Sequence, residues 1–175
     1  MTVLRPELLR GVRVLLAAAE PPSRFGEATA LRASKLKAAV DRVKVDPTGD
    51  EAAPRETDVL VWDGASLAGP RDVLDGAWLA LRPVAKAAWI DAGRPGGKLV
   101  LIAPPPGDAG VEAARAGLEN LARTLSIEWS RHGIRSVAIL PGAATEPEEV
   151  AELTAFLASE AGDYYSGCHF RLGEA

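Results

Sequence analysis

A helix and the buried strand that follows it, between residues 111 and 142, constrain the fold of this chain most strongly. The apolar residues of the helix recur at helical spacing: Ala114, Leu118, Leu121, Leu125 and Trp129. Gly133 follows as a stop signal, and residues 136–140 form a short, mostly apolar run that ends at Pro141-Gly142. Such a run is typical of a strand buried on both faces of a parallel sheet. A helix followed by a buried strand is the repeating unit of a doubly wound α/β fold.

The same alternation of strands and helices continues through the rest of the chain. Strands are predicted at residues 12–19, 43–46, 58–62, 98–103 and 169–172, and helices at residues 26–40, 70–92 and 148–160. Pro83 predicts a kink in its helix, and residues 47–50 predict a turn. With right-handed crossovers, these elements predict a single domain over residues 1–175, a Rossmann-like three-layer sandwich with a mostly parallel sheet.

Composition argues against several classes of protein. The net charge of −4 disfavours a nucleic-acid surface, because phosphate binding needs clustered Lys and Arg. No apolar run is long enough to span a bilayer, and the first residues lack the apolar core of a signal peptide. The single Cys168 forms no internal disulfide, and no Cys/His cluster has zinc-ligand spacing. We therefore expect a cytoplasmic protein with no membrane, nucleic-acid or metal partner.

Several motifs of the chain resemble those of the short-chain dehydrogenase/reductase family. Residues 61–65 stand where the family has Asn-Asn-Ala-Gly, and residues 96–102 match the strand that leads to its catalytic Ser. Residues 141–145 match its Pro-Gly-…-Thr segment, while residues 148–160 and 165–167 match its last helix and the entry to its last strand. The resemblance implies the family's Rossmann-like fold.

The positions of the family's catalytic residues are substituted in this chain. A family member uses a Tyr as general acid/base, a Lys that lowers the Tyr pKa, a Ser that polarises the substrate oxygen and an Asn that holds a relay water. The matching positions hold Val111, Arg115, Ala103 or Pro104, and Asp75. The resemblance therefore implies that this chain has no catalytic residue, and we interpret Arg115 as a helix-surface or interface ion-pair residue.

The turn that binds the cofactor in the family is also altered. The family's glycines let the backbone approach the cofactor pyrophosphate at a helix N-terminus. Here the turn runs from Ala19 to Gly26, and Glu20 and Arg24 stand close to where the other glycines belong. Glu20 repels a diphosphate, and Pro21-Pro22 offers no amide hydrogens. We expect no cofactor in this chain.

Two segments of the family fold are missing. Between Gly26 and Asp46, which resembles the family's adenine-contacting Asp, there is room for one helix and one strand. One strand and its crossover helix are therefore absent, which shortens the N-terminal half of the fold. Thr145 runs directly into residues 146–150, where active members carry a helical lid over the substrate.

The elements that family members use to associate are retained. In the family, the helices that match residues 70–92 and 111–131 form one dimer interface, and the last helix and strand form a second. The candidate interface residues are Trp78, Leu81, Trp89, Leu118, Leu121, Leu125, Trp129 and Phe170. The tryptophans are equally compatible with a core role. Asp63, Asp75 and Glu20 are interpreted as helix caps or solvated charges rather than as an acid/base set.

Three functions remain open. The first is a non-catalytic subunit that stabilises or modulates an active NAD(P)-dependent dehydrogenase/reductase, with NAD(P) bound in that partner. The second is an NAD(P)-dependent oxidoreductase, acting on ketone or 3-oxoacyl substrates, with a non-standard active site. The third is a self-associating scaffold that binds small molecules.

Overall fold

A six-stranded sheet organises the computed structural model, which describes residues 4–45 and 56–173. Its strands are β1 (Arg13–Ala18), β2 (Ala39–Lys44), β3 (Val59–Asp63), β4 (Lys98–Ile102), β5 (Arg135–Pro141) and β6 (His169–Leu172). The strand order is β2-β1-β3-β4-β5-β6, and all five neighbouring pairs are parallel. The central strands β1, β3, β4 and β5 are almost wholly buried, as the near-continuous apolar runs predict.

Within residues 4–45 and 56–173, four α-helices cover the two faces of this sheet. They are α1 (Arg24–Lys35), α2 (Pro70–Val84), α3 (Ala109–Glu128) and α4 (Pro147–Ala158). Helices α1 and α4 pack together over one face, and α2 and α3 cover the other, so the core divides into two apolar layers on either side of the sheet. This arrangement confirms the predicted three-layer α/β fold.

The first helix ends earlier than the sequence predicts. Lys37 has a φ of 71°, in the left-handed region, and this conformation ends α1 at Lys35. The prediction that the helix reaches Val40 was wrong, because Val40 already pairs with Val14 in β2. No glycine or proline marks the stop, so the boundary carries no strong local signal.

Pro83 changes the helix without ending it. Helix α2 continues from Val84 into a π-helical turn over Ala85–Ile90. Proline lacks an amide hydrogen, and its ring crowds the preceding turn, which favours a local widening of the helix. The turn places Trp89 inside the core, where its indole nitrogen donates a 2.6 Å hydrogen bond to the Thr57 carbonyl.

Two connections show how the fold is shortened. Between Gly26 and the end of β2, the described residues hold only the rest of α1 and that one strand. Asp46 and the turn predicted at residues 47–50 lie outside the described residues. Strand β5 joins α4 through residues 142–146 alone, with no intervening helix. Among the described segments, no helix is both long and apolar enough to cross a membrane.

Candidate functional site

The carboxyl ends of the strands are where this topology places a binding crevice. The chain leaves β1 toward β2 on one side and continues to β3 on the other side, so the topological switch point lies between β1 and β3. In open parallel sheets, ligands bind outside the carboxyl ends of the strands at such a point. The residues that end β1 and β3 and begin α1 therefore define the candidate site.

Asp63 occupies the centre of this site. It is the last residue of β3 and is completely buried. One carboxylate oxygen accepts a 2.7 Å hydrogen bond from the backbone amide of Ser23, and the other accepts a 2.7 Å bond from the Ser23 hydroxyl. The Ser66 hydroxyl donates to the Asp63 carbonyl at 2.6 Å and accepts from the Ala19 amide at 2.9 Å. Asp63 thus ties the ends of β1 and β3 to the start of α1.

Ser23 also caps α1. Its hydroxyl oxygen accepts from the amides of Phe25 and Gly26, both at 3.2 Å, and its carbonyl accepts from the Glu27 amide at 2.9 Å. The Asp63 carboxylate lies directly against Gly26, so a Cβ atom at position 26 would collide with it. These first-turn amides are satisfied by the chain's own side chain and backbone.

The environment of Asp63 disfavours its charge. Burial raises the pKa of this carboxyl group, and the hydrogen bonds from Ser23 oppose that rise only in part. The interpretation of Asp63 as a solvated charge was wrong. The sequence feature that could have predicted this burial is an acidic residue directly at the end of a buried apolar strand. At that position a side chain can point inward, toward the start of a neighbouring helix.

Arg115 lies at the same edge of the sheet, at the carboxyl ends of β4 and β5. Its side chain is 5% exposed, and one guanidinium nitrogen donates to the Pro104 carbonyl at 2.6 Å and the Pro141 carbonyl at 2.8 Å. Its Nε atom lies 3.5 Å from the carboxylate of Glu112. The interpretation of Arg115 as a helix-surface residue was wrong, because the side chain points inward from α3 and links the ends of β4 and β5.

The other substituted catalytic positions do not converge on a reactive group. Val111 is half-buried in the first turn of α3, and Ala103 and Pro104 are buried directly after β4. None of these three side chains carries a hydroxyl group or an ionisable proton. Asp75 is exposed on α2, where its carboxylate lies 3.9 Å from the guanidinium of Arg71.

The residues of the altered turn lie mostly on the surface. Glu20 is exposed and Ala19 is half-buried at the end of β1. Arg24 is exposed, but its guanidinium donates to the Thr145 carbonyl at 3.3 Å and lies over the Phe25 ring, 4.8 Å from its centre. Among residues 4–45 and 56–173, no group of three or more His, Cys, Asp or Glu side chains could hold a metal ion.

The candidate interface residues divide into two sets. Four of them are buried in the chain's own core: Leu81, Trp89, Leu118 and Leu125. Their assignment to a subunit surface is corrected, because the helices turn these side chains toward the sheet. The other four, Trp78, Leu121, Trp129 and Phe170, keep part of their surface and remain predictions.

Trp78 and Trp129 form a small aromatic surface on the outer side of α2 and α3. Their rings stack with centroids 6.3 Å apart, and Trp78 is 45% exposed. Ile127, near the end of α3, is 67% exposed. We call Trp78, Trp129 and Ile127 the α2–α3 surface. Sequence reasoning missed Ile127, which lies off the apolar stripe of α3.

No family model matches the sequence. A curated relative, a probable 2,4-dienoyl-CoA reductase of Bacillus subtilis, is 32% identical over 129 residues, and the match covers 54% of this chain and 50% of the relative. The chain thus matches only about half the length of that relative. The alignment has 129 positions, which is more than 54% of a 175-residue chain. The alignment therefore includes segments of the relative that have no counterpart in this chain.

Solved structures share the fold over almost the whole chain. A short-chain dehydrogenase from Mycobacterium smegmatis is 24% identical, with a TM-score of 0.82 over 99% of this chain and 96% of its own. A citronellol catabolism dehydrogenase of Pseudomonas aeruginosa PAO1 is 23% identical, with a TM-score of 0.75 over 97% and 96%. A 3-ketoacyl-(acyl-carrier-protein) reductase from Brucella melitensis, solved with NADH, is 20% identical, with a TM-score of 0.75 over 94% and 97%.

Replacing Arg115 tests its structural role. Arg115→Met leaves two carbonyls at the ends of β4 and β5 without their donor, so we expect the free energy of unfolding to fall by about 2–4 kcal/mol. Arg123→Met is the matched control, because Arg123 lies on the exposed side of α3, and its removal costs within about 0.5 kcal/mol. Urea denaturation measures both. Equal stabilities of the two variants would contradict the structural role of Arg115.

The pH dependence of stability tests the environment of Asp63. Because burial raises the pKa of Asp63 in the folded chain, the folded state holds this proton to a higher pH than the unfolded state, whose pKa is about 4. Ionisation therefore lowers the stability of the wild type as pH rises from about 4 through the raised folded pKa. Asp63→Asn lacks this titration. Urea denaturation from acid to neutral pH should show the wild type losing stability relative to Asp63→Asn, and an opposite trend would refute the raised pKa.

Proposed function

We propose that this chain is a non-catalytic subunit of the short-chain dehydrogenase/reductase family of oxidoreductases, a proposal supported by its similarity to a curated reductase and to dehydrogenases of the same fold. In this proposal it associates with an active NAD(P)-dependent dehydrogenase/reductase and stabilises or modulates it. NAD(P) is bound by that partner, and the catalysis takes place there.

The single observation that carries the proposal is the position of Arg115. A catalytic lysine needs its charged end near the catalytic tyrosine and the cofactor, whereas the guanidinium of Arg115 is buried and donates to two backbone carbonyls. The position four residues earlier holds Val111, which has no proton to transfer. A general acid/base of the family type cannot be assembled from these two side chains.

The α2–α3 surface supports association. Most large apolar side chains among the described residues are buried, yet Trp78 and Ile127 are exposed on neighbouring helices, and Trp78 stacks on Trp129. Large apolar side chains that stay exposed on adjacent helices are typical of protein–protein contacts. The proposed partner presents an equivalent two-helix layer, because an active member of the same fold carries the same two helices on the same face of its sheet.

The competing proposal is an NAD(P)-dependent reductase of ketone or 3-oxoacyl substrates with a non-standard active site. Two observations favour it: the curated relative is named as a reductase, and a cleft of about 250 Å³ lies at the carboxyl ends of β1 and β2. Arg42 and Lys44 line this cleft, although Arg42 is held by Glu27 at 2.6 and 3.0 Å.

Oxidation of NADH or NADPH by the purified chain separates the two proposals. With ketone and 3-oxoacyl substrates, the non-catalytic subunit gives no turnover above a heat-inactivated control. Turnover that Arg115→Met or Asp75→Asn abolishes would establish the reductase instead. A stable homodimer that never exchanges with an active subunit would favour the third possibility, a self-associating scaffold.

Substitution of the α2–α3 surface tests the association. The chain co-expressed with each family reductase of its source organism should form a mixed species with one of them, measured by size-exclusion chromatography with light scattering. Introducing Trp78→Glu together with Ile127→Glu should weaken this species at least about tenfold, because two buried charges would replace apolar contacts.

Leu31→Glu is the matched control for this experiment. Leu31 is also a large exposed apolar residue, but it lies on α1, on the opposite face of the sheet, and its substitution should leave the mixed species intact. The association is refuted if the chain remains separate from every reductase, or if the two α2–α3 substitutions have no more effect than Leu31→Glu.

A further inference from the structure

We propose that Asp63 closes the phosphate-binding position of this fold by acting as an internal anion at the N-terminus of α1. A dinucleotide does not fit this position, and the misfit is built into the chain's own side chains. The inference rests on one part of the proposed function, namely that the native chain binds no dinucleotide. It goes beyond that function by naming the residue responsible.

The electrostatics of the helix start support this role. The first amides of a helix and its dipole form a site that favours negative charge, and the turn after the first strand of this fold is where a pyrophosphate binds. In this chain the negative group at that turn belongs to Asp63, whose two oxygens are both engaged by Ser23. The Ser23 hydroxyl oxygen in turn accepts hydrogen bonds from the backbone amides of Phe25 and Gly26.

The packing around the carboxylate leaves no space for a second anion. Asp63 is completely buried, and its carboxylate fills the volume directly beside Gly26. The last glycine of the family turn, which Gly26 matches, lets the start of the helix pack closely against the sheet. Here the same glycine brings the helix close to Asp63.

Charge and backbone chemistry exclude a phosphate further. Glu27 lies near enough to Asp63 to raise its pKa, although the Glu27 carboxylate is also paired with Arg42. Pro21 and Pro22 contribute no amide hydrogens to the turn, and Glu20 adds a third acidic side chain there. A phosphate group entering this turn would find fewer backbone donors, and the Arg24 guanidinium there already donates to the Thr145 carbonyl.

Removal of the carboxylate should therefore open the site. In Asp63→Ala, the Ser23 amide and hydroxyl lose their acceptor, and the space beside Gly26 is vacated. We expect this variant to bind inorganic pyrophosphate at least about tenfold more tightly than the wild type, since a like charge is removed and helix-start donors are released. Binding is measured by titration at constant ionic strength, with the amide NMR signals of residues 23–27 reporting the location.

Asp58→Ala is the matched control. Asp58 is likewise a carboxylate of this sheet that accepts a backbone amide, that of Arg13, but it lies at the opposite ends of the strands. This variant should bind pyrophosphate no better than the wild type. Asp63→Asn keeps the shape but removes the charge and one of the two acceptors that bind Ser23. It should gain affinity in the same direction by a smaller factor, and it decides the question if Asp63→Ala does not fold.

Three results would overturn the inference. The first is that the folded Asp63 variants bind pyrophosphate no more tightly than Asp58→Ala does. The second is that pyrophosphate binds Asp63→Ala without changing the amide signals of residues 23–27. The third is that the wild type itself binds pyrophosphate saturably at those amides. Neither of the first two results bears on whether the chain associates with an active subunit. The proposed function fails separately, through turnover by the purified chain or the lack of any mixed species.

Discussion

The hydrogen bonds between the Asp63 carboxylate and Ser23 hold the first helix to the middle of the sheet. Strand β3 ends at Asp63, Ser23 caps the start of α1, and Ser66 connects Asp63 to Ala19 at the end of β1. A buried carboxylate is costly unless its oxygens accept hydrogen bonds, so the turn after β1 must present the Ser23 donors in one geometry. The conformation of the whole switch point follows from this requirement.

Arg115 has the corresponding role at the other half of the edge. It carries a buried charge, and the carbonyls of Pro104 and Pro141 together with Glu112 compensate that charge. The carboxyl ends of β1, β3, β4 and β5 are thus cross-linked by the chain's own polar groups. In an enzyme of this fold, polar groups at that edge are left to face a cofactor and a substrate. Here they bind one another and the backbone of the chain itself.

Much of the fold could be predicted because hydrophobic periodicity is a local property. The buried strands and the stripe of α3 follow directly from residue spacing. Gly133, the predicted stop, has a left-handed φ of 72°, but it ends a short 3-10 turn over Ser130–His132, whereas α3 itself ends earlier, at Glu128. The contacts of the candidate site are not local. Ser23 is 40 residues from Asp63, and Arg115 is 26 residues from Pro141, so neither pairing has a signal in any short window. The sequence also does not show how deeply each apolar residue of a helix is buried. Leu81 and Trp78 lie on the same helix, but only Trp78 reaches the surface.

The central claim is that this chain acts by joining an active oxidoreductase subunit. Native mass spectrometry of the assembly isolated from its source organism, at its normal expression level, tests that claim most directly. The account predicts a complex whose mass equals this chain plus a family subunit with an intact Tyr-x-x-x-Lys motif, with any nicotinamide cofactor released from that subunit alone. Recovery of this chain only by itself, or with a nicotinamide cofactor bound to it, would contradict the account.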